Sequence, residues 1–125
     1  MLAYPLAMTP NEVQSWLDRY IEAWSSYDRE QIKALFSDDA SYKYHPWDDE
    51  IGGADAIADD WLANKDDPRT WEASYRPLHV NGNKTFTTGT SSYSNGSVFW
   101  NLWEVDFDDA GRCNRFVEWF MLQPE

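Results

Sequence analysis

The chain has 125 residues, 42% hydrophobic and 17% aromatic, with 10 Lys and Arg against 22 Asp and Glu for a formal charge of −12. That length suits one domain over residues 1–125, and the apolar share is that of a globular protein rather than a disordered chain. The acidic field repels phosphate backbones and anionic lipid surfaces, so neither nucleic acid nor membrane is expected as a partner.

Eight Trp, seven Tyr and six Phe exceed what a core of this size needs. Aromatics concentrate at lined cavities and at oligomer faces. Cys113 is the one cysteine, so there is no intramolecular disulfide and no zinc-ligand spacing. The first residues lack the charged start and apolar run of a signal peptide, and no stretch nears the ~20 apolar residues of a bilayer span. A cytoplasmic location is the expectation.

Residues 1–8 read as an arm. Thr9-Pro10-Asn11-Glu12 is a helix start, with Thr9 as cap, Pro10 at the first helical position and Glu12 closing a capping box. Val13, Trp16, Leu17, Tyr20, Ile21 and Trp24 then recur at helical spacing and predict a helix over about 10–25. Asp28 caps a shorter helix that turns Ile32, Leu35 and Phe36 inward and stops at Ser37-Asp38-Asp39. The Tyr-rich alternation over 40–45 predicts a strand, and a third helix follows over about 53–64 with Ile57, Trp61 and Leu62 buried.

From Thr70 onward the pattern is β. Asn81-Gly82-Asn83, Asn95-Gly96 and Asp108-Asp109-Ala110-Gly111 divide it into strands over roughly 71–80, 84–94, 97–107 and 112–121, joined as an antiparallel meander. Helices followed by antiparallel strands make an α+β arrangement. Alternation puts Asn101, Trp103 and Val105 on one face and Trp100, Leu102 and Glu104 on the other. In the last strand it groups Asn114, Phe116, Glu118 and Phe120 against Cys113, Arg115, Val117 and Trp119.

The densest stretch is Tyr42-Lys43-Tyr44-His45-Pro46-Trp47. Pro46 biases His45 toward extended backbone, at a strand end or its exit loop. The order of elements, Arg19-Tyr20-Ile21 to Asp28, Leu35-Phe36-Ser37-Asp38-Asp39-Ala40, Tyr44-His45-Pro46-Trp47, Gly53-Ala54-Asp55-Ala56-Ile57 and Phe107-Asp108-Asp109-Ala110-Gly111-Arg112 together resemble the SnoaL-like branch of the nuclear transport factor 2-like superfamily. The likeness covers about 10–122. It implies three N-terminal helices packed on a strongly bent antiparallel sheet, a cone with one central pocket (the cystatin-like α+β barrel). It also implies a homodimer through the outer sheet face, where Trp100, Leu102 and Trp119 stand. The superfamily holds isomerases, cyclases, dehydratases, epoxide hydrolases and non-catalytic binding domains, so fold alone does not decide function.

Set beside the ketosteroid isomerases of that superfamily, Tyr20 falls where a hydrogen-bonding tyrosine stands on the first helix. Tyr44 or His45, depending on one residue of register, falls at the base position, and Trp103 replaces the partner acid. Steroid isomerisation is therefore not expected. The expected ligand is a small hydrophobic or aromatic molecule in a pocket lined by Tyr44, Trp47, Trp61, Asn101, Trp103, Phe116 and Phe120, with no cofactor and no metal. One alternative is a cofactor-independent lyase, isomerase or cyclase in which His45 and Glu118 exchange protons while Tyr20 and Asn101 hold an oxygen. Another is a non-catalytic interaction or dimerisation module. Against the acid–base reading, Glu118 could simply accept a hydrogen bond from His45, Tyr20 or Trp103. Trp16 and Trp24 are expected as packing, His79 as a lone imidazole, and Cys113 as no nucleophile.

Overall fold

The computed structural model describes residues 7–125. Most of the arm expected over 1–8 lies outside them; Met8, just before the first helix, is buried and donates its backbone N–H to Gly82 O at 3.2 Å. Helix α1 spans Pro10–Ser26, and both halves of its capping box form between Thr9 and Glu12. The stripe Val13, Trp16, Leu17, Tyr20 and Ala23 is buried, as the 3.6-residue period requires. Tyr27 ends the helix with left-handed backbone, φ 50°, and its N–H returns to Ala23 O.

Asp28 caps α2, Arg29–Ala34, by accepting from the Gln31 N–H. Strand β1 follows at once, Phe36–Lys43, so Ser37-Asp38-Asp39 is not the helix stop read from the sequence but the start of a longer strand. Cys113 N–H donates to Leu35 O and Trp16 Nε1 to the same carbonyl, and this clamp turns the chain from helix to strand. A two-residue strand β2, Ile51–Gly52, pairs antiparallel with β1. Gly53 then caps α3, Ala54–Ala63, at φ 96°, where a Cβ would lie 3.0 Å from Asp38 O.

The remaining strands are β3 Trp71–Asn81, β4 Lys84–Tyr93, β5 Val98–Phe107 and β6 Cys113–Leu122. They pair antiparallel in succession, and the full sheet order is β2-β1-β6-β5-β4-β3. Two features correct the expected cone. The sheet is mixed, because β1 joins β6 in parallel. It is also open and not strongly curled: β2 and β3 are its two edges and do not pair with each other. The physical reason lies in the helices. Helix α1 packs on β3 and α3 on β1 at the opposite end of the sheet, so helices stand between the two edges that a barrel would have joined.

The core fills the space between helices and the inner sheet face. Its aromatic centre is Phe116, stacked on Tyr42 at 4.5 Å and on Tyr20 at 5.7 Å, with Trp103 tilted against it at 4.9 Å. Each such pair adds about 0.5–1.5 kcal/mol beyond burial itself. A register shift where Phe107 pairs with Cys113 and Asp106 with Arg115 leaves Asn114 as an extra residue. Cys113 is therefore buried and Asn114 exposed, the reverse of a simple two-residue alternation. Past the bulge Phe116 and Glu118 face inward. No helix among the described residues is long and apolar enough to cross a membrane.

Candidate functional site

A cavity of about 240 Å³ opens between α1, α3, the end of β1 and the inner face of β3 to β6. Its floor is aromatic and buried: Tyr20 from α1, Tyr42 from β1, Trp61 from α3, Tyr75 from β3 and Trp103 from β5. Trp24, Tyr27, Asn64 and Asp66 line its more exposed rim. Tyr20, Trp24 and Tyr27 share one helical face by their i, i+4, i+7 spacing, and the left-handed cap at Tyr27 carries that face to the rim.

Hydrogen bonds hold the polar groups in place. The Tyr20 and Tyr42 hydroxyls meet at 2.8 Å, and the Tyr44 hydroxyl donates to Asp60 on α3. Ser91 donates to Asn101 Oδ1 at 3.3 Å, supplying a polar patch from β4 and β5. At the rim Asp66 accepts from Trp24 Nε1 at 2.9 Å, and its backbone N–H donates to the Tyr27 hydroxyl at 2.8 Å.

Glu118 is the carboxylate of this cavity. It sits directly across from Trp103 in the β5–β6 ladder, and Trp103 Nε1 donates to its Oε2 at 3.0 Å. Burial pushes the Glu118 carboxyl up to about 7, and the Trp103 hydrogen bond and His45 charge offset only part of that rise. Burial and the Glu118 charge also hold the Tyr20 and Tyr75 hydroxyls well above the usual tyrosine range, and Tyr93 is pushed up to about 12 by burial first. The tyrosines are thus neutral hydrogen-bonding groups, and Glu118 is the group that changes charge near neutrality.

His45 stands apart from the lining. It occupies the turn after β1, closed by the Asp48 N–H on the His45 carbonyl at 3.1 Å. Its Nδ1 lies 2.8 Å from Asp48 Oδ2, which as a carboxylate can only accept, so Nδ1 carries a proton in that bond. The ring is sandwiched by Trp47, stacked at 4.9 Å, and Phe120, tilted at 5.0 Å.

Of the residues singled out in the sequence, Tyr20, Tyr44, Trp61, Asn101, Trp103 and Glu118 come together around one cavity. His45, Trp47, Phe116 and Phe120 do not line it. Trp47 is 79% exposed, Phe116 is wholly buried beneath the floor, and Phe120 packs on His45 and Phe99. Sequence reasoning left out Trp24, Tyr27, Tyr42, Asn64, Asp66, Tyr75, Ser91 and Tyr93. Two of these had a legible signal: Tyr42 lies two residues from Tyr44 on one strand face, and Trp24 four from Tyr20 on one helix face. No group of three or more His, Cys, Asp or Glu side chains among the described residues is arranged to hold a metal ion.

A helical layer, an open mixed sheet and one aromatic cavity between them define the class of protein. The chain belongs to the SnoaL-like domain family, whose model matches residues 17–121. Solved structures agree on the fold. An NTF-2 like protein of unknown function from Burkholderia xenovorans LB400 superposes with a TM-score of 0.72 at 20% identity, over 92% of this chain and 87% of that one. A candidate ketosteroid isomerase from Kribbella flavida DSM 17836 gives 0.71 at 14% identity, over 93% and 82%. An LEH-like epoxide hydrolase of M. tuberculosis gives 0.67 at 17% identity, over 90% and 84%. A search of curated proteins gave no significant match.

Proposed function

We propose that this protein binds a small, largely aromatic or apolar organic molecule in the cavity around Glu118. The carrying observation is the cavity itself, floored by the rings of Tyr20, Tyr42, Trp61, Tyr75 and Trp103, with tyrosine hydroxyls, Ser91, Asn101 and Glu118 as its polar groups. A concave aromatic lining with placed hydrogen-bonding groups is the usual form of a small-molecule site. Its volume of about 240 Å³ falls just below the roughly 300–1,000 Å³ usual for such sites, so the ligand is a small one. The test is a fragment screen read by amide chemical shifts. Hits should perturb Tyr75, Asn101 and Glu118 together; shifts confined to the outer sheet face would overturn the reading.

A second reading is favoured by one observation: Glu118 titrates near neutrality inside the cavity. A carboxyl poised there can both take and give a proton, the property a lyase, isomerase or cyclase needs without a cofactor. His45, held by Asp48, would supply charge at the edge rather than direct contact. In that case Glu118→Gln abolishes turnover while ligand binding persists; retained turnover would refute it.

The homodimer belongs to the same proposal. Trp100, Leu102 and Trp119 stand 52%, 37% and 48% exposed on the outer sheet face, an apolar patch that a partner copy would cover. Sedimentation of the wild type and of Trp100→Glu should show a dimer dissociating; a monomeric wild type at micromolar concentration would dispose of it.

A further inference from the structure

The charged groups that line the cavity are all acidic. Among the described residues, no Lys, Arg or His lines it. Its walls are tyrosine and tryptophan rings, whose faces carry the negative end of the ring quadrupole. Glu118 is its interior carboxylate, and Asp66 stands at the rim.

Several basic side chains are paired away from the cavity. Arg29 and Lys33 pair with Asp55 and Asp59 on the helical side, and Lys84 and Arg115 pair with Asp106 and Glu104 on the outer sheet. Glu118 has the Trp103 N–H as its one hydrogen-bond donor among the described residues, and His45 gives its Nδ1 to Asp48 rather than to Glu118. One ammonium already sits on a rim tyrosine: Lys65 Nζ lies 5.7 Å from the centre of the Tyr27 ring. The formal charge of −12 adds a long-range field of the same sign.

From these aromatic rings around a carboxylate that has no Lys or Arg among its lining neighbours, we infer that the ligand is an organic cation, an amine or quaternary ammonium whose charged head sits by Tyr20, Tyr75 and Trp103 against Glu118. The inference rests on the cavity being a small-molecule site and adds the charge of the molecule. A cation supplies the counter-charge that Glu118 lacks, while its alkyl or aryl body covers the apolar rings. An anion would meet Glu118 and Asp66 with no cation among the lining residues to offset them.

Binding is then linked to the Glu118 proton. Charged and titratable groups facing the carboxylate are Tyr20 from α1, Tyr42 and Tyr44 from β1 and its exit, His45 from the turn, Tyr75 from β3 and Tyr93 from β4. The tyrosines stay neutral up to high pH, so around neutrality the pH dependence comes from Glu118. A cation binds the ionised form; affinity falls as pH drops below 7, by about tenfold per unit once Glu118 is mostly protonated.

The experiment is calorimetry with three probes of nearly one shape: choline, 3,3-dimethyl-1-butanol and 3,3-dimethylbutanoate, with benzyltrimethylammonium as an aromatic cation. Quenching of Trp24, Trp61 and Trp103 fluorescence gives a second readout. The expected result is choline or benzyltrimethylammonium binding at least tenfold more tightly than the alcohol at pH 8, with the anion weakest. Glu118→Gln, which keeps the shape of the side chain, should remove most of that preference and its pH dependence while leaving the alcohol within twofold. Asp66→Asn should cost the cations only a few-fold. Alcohol binding equal to or tighter than choline would overturn the cation inference and leave the small-molecule site standing. Binding of neutral aromatic fragments in the cavity, with neither cation bound, would do the same. If cations, alcohol and neutral fragments all fail to bind the cavity, both readings fall.

Discussion

The two faces of the β5–β6 ladder carry the same chemical pair with opposite outcomes. Inside, Trp103 donates its indole N–H to Glu118 at 3.0 Å; outside, Trp119 donates to Glu104 at 2.8 Å. Glu104 also receives Arg115 Nη1 at 3.1 Å. Partial burial works against ionisation there too, but Trp119 and Arg115 outweigh it and hold the Glu104 carboxyl below its ordinary value. Glu118 has no such cation, and burial dominates. An indole N–H alone does not compensate a desolvated carboxylate. A guanidinium beside it does. The outer carboxylate thus stays ionised below its ordinary range, while the inner one holds its proton further up the pH scale.

The largest effect that separates the faces concerns packing. Trp103 is 1% exposed and touches Tyr20, Tyr75 and Phe116, so Trp103→Ala should cost about 3–5 kcal/mol in chemical denaturation. Trp119→Ala, half exposed, should cost less than about 1 kcal/mol in the monomer. Equal losses would mean that the outer face is as structurally engaged as the core.

Charge comes next. Because the folded Glu118 pKa is raised, the folded state holds its proton longer, and the stability this confers is full below the unfolded pKa and lost as pH rises toward 7. Glu118→Gln should therefore stabilise the protein at pH 8 by up to about 3 kcal/mol, with the gain vanishing near pH 4.5. Glu104 has the opposite sign: its contribution is present above the unfolded pKa and lost as pH falls through the lowered folded value. Glu104→Gln should give no gain at pH 8. Thermal melts of both variants across pH 4–8 decide the matter; parallel curves would break the comparison.

Backbone fit ranks third. A Cβ on Gly89 would fall 2.1 Å from Ser74 O and 2.5 Å from Tyr75 Cδ1. Gly89→Ala should cost about 1–3 kcal/mol and displace Tyr75 from Trp103, read as a changed near-ultraviolet dichroism. The smallest effect is Arg115→Gln, less than about 1 kcal/mol at an exposed pair, with the Glu104 carboxyl titrating upward by NMR. If Glu104 stays put, the guanidinium is not what distinguishes the two faces.

Much of the secondary structure was legible because its signals are local. Thr9 and Glu12 cap α1, Asp28 caps α2, and the three glycine-containing turns mark the strand ends, each through bonds within a few residues. Six residues of the candidate site came from alternation and family likeness together. His45 and Trp47 did not join them, since local sequence places them after β1 but the turn closed by Asp48 N–H folds their rings onto Phe120.

By itself, then, the amino-acid order determined three helices, two of them with side-chain caps, four long strands and an aromatic surplus that had to go somewhere. Tertiary structure decided the rest. The parallel seating of β1 on β6 depends on residues some 75 apart, and the bulge at Asn114 depends on how β5 meets β6. The open edges depend on the helices that stand between them. The charge behaviour of Glu118 belongs to the same class. Alternation puts it on the inner face, but only the assembled cavity removes water from it with no Lys or Arg among the lining residues, and that burial is what raises its carboxyl.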